Sequence, residues 1–209
     1  FELAIDHLND EAVDKKPTVK IDGVNLSFKV ITTQTGEKEF AVDRGSLKQI
    51  DRMGVTASNA EERFPPNPAT GEPHGMIAAT ETLLTIFNQA LSSIAPELER
   101  LNMLDDSTFY FNAEYVLQGA KSANVLQYEE NSIFIHGIKR FYNRYDKKGS
   151  PLPGRAGENA LERPRDPKTN KLVSATGYNV AYDRDALESL KDKVNEFAPK
   201  HGFVVKTFL

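Results

Sequence analysis

The sequence predicts an α+β protein in which a mainly antiparallel sheet carries its helices on the outside. Three observations predict it. Residues 24–30 alternate apolar Val24, Leu26, Phe28 and Val30 with polar Asn25, Ser27 and Lys29, which is a strand period. Residues 75–94 and 183–197 instead carry apolar side chains at helical spacing. The segments follow one another in mixed order, with a hairpin turn at Thr35-Gly36-Glu37 and several β-rich stretches after residue 107.

Composition sets the outer bounds. At 209 residues the chain suits one domain over its whole length, and 39% apolar with 27% charged residues describes an ordinary globular protein. No cysteine is present, so disulfides, thiolate metal sites and cysteine nucleophiles are excluded. That fits a reducing, cytoplasmic setting. No apolar run reaches the roughly 18 residues of a membrane span, so no membrane partner is expected. A net charge of −4 argues against a basic coat over the whole surface and leaves room for a local basic groove. The chain begins at Phe1 rather than methionine and stops inside an apolar run at Leu209. An excised or processed part of a longer protein is the expectation.

Taken in order, Phe1–Val13 has helical spacing, and Asp14-Lys15-Lys16-Pro17 breaks it, since proline disfavours helix in the residue before it. Thr18–Ile21 and Val24–Thr32 read as strands, the second half-buried, and Glu39–Val42 as the returning arm of a hairpin that ends at Asp43-Arg44-Gly45-Ser46. Leu47–Pro73, rich in Asn, Pro, Gly and charge, reads as a short helix and a long excursion. Gly75–Ile94 is the clearest helix, with Ile77, Thr80, Leu84, Phe87, Leu91 and Ile94 as a core stripe that Pro96 interrupts, and Glu97–Leu104 a short resumption. Thr108–Leu117, Val125–Tyr128, Ile133–Tyr142 and Tyr178–Tyr182 read as strands. Lys147–Lys171 is a charged, mobile Pro/Gly-rich loop. Asp183–Phe197 is an amphipathic helix with Asp183 or Asp185 as N-cap, and Gly202–Phe208 is a closing strand. No internal repeat or low-complexity tract is evident.

The chemistry centres on Thr18-Val19-Lys20-Ile21-Asp22-Gly23, which joins a strand to the alternating run that follows. A Lys-x-Asp-Gly pattern arises by chance in roughly one chain of this length in twenty, and alone it reads as a strand-end surface lysine. Further along come Asp43-Arg44-Gly45-Ser46, Phe111-Asn112-Ala113-Glu114-Tyr115-Val116 and Ile133-Phe134-Ile135-His136-Gly137-Ile138. In this order the four segments resemble motifs I, Ia, III and IIIa of the covalent nucleotidyltransferases: ATP-dependent DNA ligases, RNA ligases and mRNA capping enzymes. The chain looks particularly like phage-encoded relatives of these ligases. The resemblance covers about the first two thirds of the chain and implies an ATP-grasp-like adenylation domain.

What that resemblance implies is a lysyl–nucleotide intermediate on Lys20, formed from ATP or GTP with Mg²⁺ and passed to a nucleic-acid end. It assigns nucleotide contacts to Thr18, Asp22, Gly23, Arg44, Glu114 and Phe134. Arg44 would form a fork on phosphate or ribose, Glu114 would accept ribose hydroxyls or help hold the metal, and Phe134 would stack on the base. Lys206 enters through His201-Gly202-Phe203-Val204-Val205-Lys206, which resembles motif IV with histidine in place of its metal-associated glutamate. Asn25 stands where many members carry arginine, and Thr18 where ligases often carry glutamate, a pattern nearer the capping enzymes that leaves adenine and guanine both open. The Lys-x-Lys strand of motif V is absent, so the last motifs are expected beyond Leu209. Read without the resemblance, Arg44 is a turn charge, Glu114 a structural partner, Phe134 core, and His136 and His201 packing or capping groups. Arg155, Arg163, Arg165 and Lys168 read as a solvated loop or as a phosphate-binding one. A non-catalytic module that binds nucleotide, nucleic acid or a protein partner is the alternative function.

Overall fold

The computed structural model describes residues 23–43, 54–119, 128–142, 161–171 and 177–208. Its elements are β1 (Val24–Thr32), β2 (Lys38–Asp43), α1 (Ala60–Arg63), α2 (Met76–Arg100), β3 (Phe109–Val116), β4 (Ser132–Arg140), β5 (Tyr178–Asn179), α3 (Arg184–Val194) and β6 (Val204–Thr207), with a 3₁₀ turn at Ala198–His201 before β6. The strands form one mixed sheet in the order β2-β1-β3-β4-β5. All of those pairs are antiparallel, whereas β6 joins the other half of β4's free side in parallel. The fold is therefore α+β. The expected helix at Phe1–Val13 and strand at Val125–Tyr128 lie wholly or mostly outside the described residues.

One face of the sheet packs on α2 and α3. Leu26, Phe28 and Val30 of β1 meet Phe40, Phe111 and the α2 residues Leu83, Leu84 and Phe87 in a core of fully buried side chains. Phe28 is its centre, with ring centroids 4.5 Å from Phe87 and 4.9 Å from Phe111. Each such ring removes a large apolar area from water, so this cluster fixes which face of β1 turns inward. The other face is not the solvated one that the alternation of β1 predicts. Ser27, Lys29 and Ile31 are buried as well, and Lys29 is 1% exposed with its ammonium 5.1 Å from the Phe141 ring centroid. Alternation records residue type, and a polar residue inside a second buried layer looks the same in it as one in water.

One further expectation is corrected. Helix α2 does not stop near Ile94 but continues through Pro96 to Arg100. Proline there removes one backbone bond at a cost of up to about 3 kcal/mol. Beyond it Glu97, Leu98 and Leu101 are all buried, and that packing outweighs the lost bond. Two turns of similar sequence are built alike, Asn67-Pro68-Ala69-Thr70-Gly71-Glu72 and Asp166-Pro167-Lys168-Thr169-Asn170-Lys171. In both, the first side chain accepts the amide two residues on, and the fifth residue takes a positive φ, 72° at Gly71 and 53° at Asn170. Both segments are tight hairpin turns closed by a 2.8 Å bond between their end residues, Asn67 N to Glu72 O and Asp166 N to Lys171 O. Residues 161–171 are the described part of the charged loop, and there Arg165 donates to the Asn170 carbonyl of its own turn.

Candidate functional site

The sheet register builds the site. Asn25 pairs with Glu114, Glu114 with Phe134, and Phe134 with Lys206, so one row crosses β1, β3, β4 and β6. Paired residues point to the same side of a sheet. The next residues along these strands, Leu26, Ala113, Ile133 and Val205, belong to the helix-side core. The row therefore lies on the opposite face. Glu114, Phe134 and Lys206, separated by up to 92 residues in the chain (206 − 114), are brought onto one line of the sheet. Gly23 opens β1 just before the row. Thr18, Lys20, Asp22 and Arg44 lie outside the described residues.

A β-bulge adds a fifth side chain. Asn112 pairs with Gly137 while Ala113 pairs with Ile135, so β4 carries one extra residue, His136. Its imidazole Nε2 stands 3.5 Å from Glu114 Oε1, with the side chains 22% and 18% exposed. Phe208 stacks on His136 at 5.2 Å and 27° and lies 4.2 Å from the Phe134 centroid, making a three-ring cluster with Phe134–His136 at 5.5 Å. Beside Glu114, the Asn25 side-chain amide donates to Asn112 Oδ1 at 3.3 Å. Lys206 meets Glu130 at 2.5 Å with 43% of its side chain exposed, which is a surface ion pair. A depression of 440 Å³ opens where β6 meets α3, and Phe134 and Lys206 line it together with Thr207, Glu188, Lys191 and Asp192. Beside that depression, hydrogen bonds from Lys191 to Glu188 and Asp192 hold its ammonium pKa above the usual lysine value.

The surface thus offers an aromatic platform, a half-buried carboxylate, an imidazole and side-chain amides side by side. Such a set can stack a flat ring and hold hydroxyls or a cation at its edge. His136 and Phe208 were not legible as site residues. The signal for His136 was the three-residue spacing of Ile135 and Ile138, both in the core, around a glycine; this is how a bulge reads in sequence. His201, at the position of the expected metal-associated glutamate, instead hydrogen-bonds Gln89 of α2 at 3.0 Å. Among the described residues no group of three or more His, Cys, Asp or Glu side chains could hold a metal, and no helix is long and apolar enough to cross a membrane.

Comparison with known proteins finds no matching family model, no similar curated protein and no similar solved structure.

Proposed function

We propose that this chain is a ligase-type nucleotidyltransferase domain with an ATP-grasp-like adenylation fold, using Lys20 as nucleophile toward ATP or GTP. The observation that carries the reading is the single cross-strand row of Glu114, Phe134 and Lys206, three residues drawn from three separate motifs. Lys20 is three residues ahead of Gly23, so chain connectivity alone keeps its Cα within about 11 Å of the residue that opens β1.

In the proposed reaction the deprotonated Lys20 amine attacks the α-phosphorus, the bond to the bridging β-phosphate oxygen breaks, and pyrophosphate leaves. A 5′-phosphate oxygen of a nucleic acid then attacks the same phosphorus, the N–P bond breaks, and the lysine amine is regenerated. Phe134 would stack on the base and Glu114 would accept ribose hydroxyls or support the cation. A single carboxylate with substrate phosphates is a common Mg²⁺ arrangement, so Glu114 fits that ion, which would offset the charge that develops on the phosphates.

The test is incubation of the full chain with α-labelled ATP or GTP and Mg²⁺. A labelled adduct that disappears in Lys20→Ala is the expected result, and no Lys20-dependent adduct with either nucleotide ends the enzymatic reading. The attachment of His201 to Gln89 favours a second reading, a binding module on the same scaffold without transfer chemistry. Nucleotide binding without any adduct would select it.

A further inference from the structure

We propose that Glu114 and His136 together form a binding site for a divalent transition-metal ion, of the manganese, cobalt or zinc class. For the positions the protein leaves open, the inference rests on the nucleotide-binding reading; for the two protein ligands it does not.

The first argument is distance. His136 Nε2 is buried, makes no hydrogen bond, and faces Glu114 Oε1 at 3.5 Å. A charge-assisted hydrogen bond between imidazolium and carboxylate would close to about 2.7–2.9 Å. A neutral imidazole turning its lone pair toward a carboxylate would be repelled. Two donors that share one ion at about 2.1 Å each stand about 3.0 Å apart in octahedral coordination and about 3.4 Å apart in tetrahedral coordination. The observed spacing suits a shared cation better than a direct bond.

The second argument is construction. Strict alternation along β4 would continue Ile133, Ile135, Gly137 on the core side and turn Ile138 outward. The bulge returns Ile138 to the core and leaves His136 on the Glu114 side. Phe208 stacked on the ring, with Phe134 tilted beside it, restricts its rotation. A ligand pair held before the ion arrives loses less entropy on binding.

The third argument is donor chemistry. One imidazole nitrogen and one carboxylate oxygen suit borderline divalent ions, whereas Mg²⁺ and Ca²⁺ prefer oxygen alone. The imidazole of His136 sets this pair apart from the resemblance, which gives a metal role to Glu114 and none to His136. Because no third acidic or histidine ligand joins them among the described residues, water or phosphate oxygens would fill the other positions. Such a site binds weakly alone and tightens when a phosphate ligand is present.

The experiment is a titration of the full ¹⁵N-labelled chain with MnCl₂, with no nucleotide, read as paramagnetic broadening. Broadening centred on residues 113–115 and 135–137 is expected, at least about tenfold weaker in both Glu114→Gln and His136→Asn, with Mg²⁺ competing only in about tenfold excess or more. His136→Asn keeps a polar side chain, and unchanged dispersion elsewhere shows that it folds. Broadening that is absent, that centres elsewhere, or that survives both substitutions overturns the inference and leaves an ion pair only. Manganese bound here without any Lys20 adduct keeps the metal site and removes the catalytic reading. An adduct without this manganese site does the reverse.

Discussion

Gly23 opens β1, and the space around it shows why a side chain is excluded there. A Cβ on Gly23 would stand 2.7 Å from the Tyr115 carbonyl oxygen and 2.9 Å from Val116 Cγ2. The first of these is backbone and cannot rotate away, so β1 and β3 would have to separate. Gly23→Ala should cost about 1–3 kcal/mol of stability, measured by urea denaturation. Because Asn25 and Glu114 pair across the same two strands, it should also weaken nucleotide binding. Gly75 is the control: it has φ −59° and nothing within 4 Å of its would-be Cβ, so Gly75→Ala should be neutral or slightly stabilising. Equal losses at both positions would show that the strand contact at Gly23 does not limit the fold. The sequence places Gly23 where a strand joins the alternating run; the structure gives the glycine a reason there, close approach to β3.

Among the described residues β6 pairs only with β4, and on its other side the Asn195 side chain bonds its backbone. Asn195, just after α3, donates to the Val205 carbonyl at 2.9 Å and accepts from the Val205 amide at 2.8 Å, standing in for a neighbouring strand. Asn195→Ala leaves both groups without these partners and should cost about 1–3 kcal/mol. Lys206 rides on β6 and Phe208 directly follows it, so exchange of the β6 amides with solvent deuterium should quicken more than exchange in β1. Uniform protection across the sheet would count against that role for Asn195. Helices α2 and α3 are joined by Glu97, which meets Lys193 at 2.7 Å and accepts from Ser189 at 2.8 Å. Burial pushes the Glu97 carboxyl pKa up, but the hydrogen bonds from Lys193 and Ser189 outweigh it and hold the group below the ordinary carboxylate value. A lowered folded value means stability that is present above the unfolded value and lost as pH falls through the folded one. The stability gap between wild type and Glu97→Gln should therefore be largest near neutrality and shrink below about pH 4. A gap that does not depend on pH would assign Glu97 a packing role alone.

At the scale of the whole molecule, the sheet separates two kinds of work: one face packs α2 and α3, and the other gathers the polar row and the aromatic cluster. The first was legible because apolar stripes repeat at 2.0 or 3.6 residues, as along Met76–Ile94 and Leu26–Val30. That Glu114 and Phe134 lie in strands was legible, since each falls in a short strand-like run. The meeting of His136 with Glu114 was not, because alternation places His136 on the Phe134 face without saying which side chain of β3 stands beside it. The burial of Lys29 was not, because pattern cannot separate a polar residue under a second layer from one in water. The reach of α2 past Pro96 was hidden because tertiary packing there overrides a local rule. The same division of faces sets the last expectation. A ligand held on the face away from the helices adds its binding free energy to folding without disturbing the helical core, so it should raise the unfolding temperature of the entire chain. At a hundredfold excess over its Kd, ATP or GTP should add about 2.7 kcal/mol. For a chain of this size that is a rise in Tm of roughly 5–10 °C. Phe134→Ala removes the proposed stacking ring from a half-buried position and should abolish most of that rise while lowering the unliganded Tm by less than a core truncation such as Phe87→Ala. A differential scan of both variants with and without nucleotide separates the two effects. A rise equally large in Phe134→Ala would move the nucleotide off this face, and no rise with either nucleotide in wild type would remove the nucleotide site from the molecule.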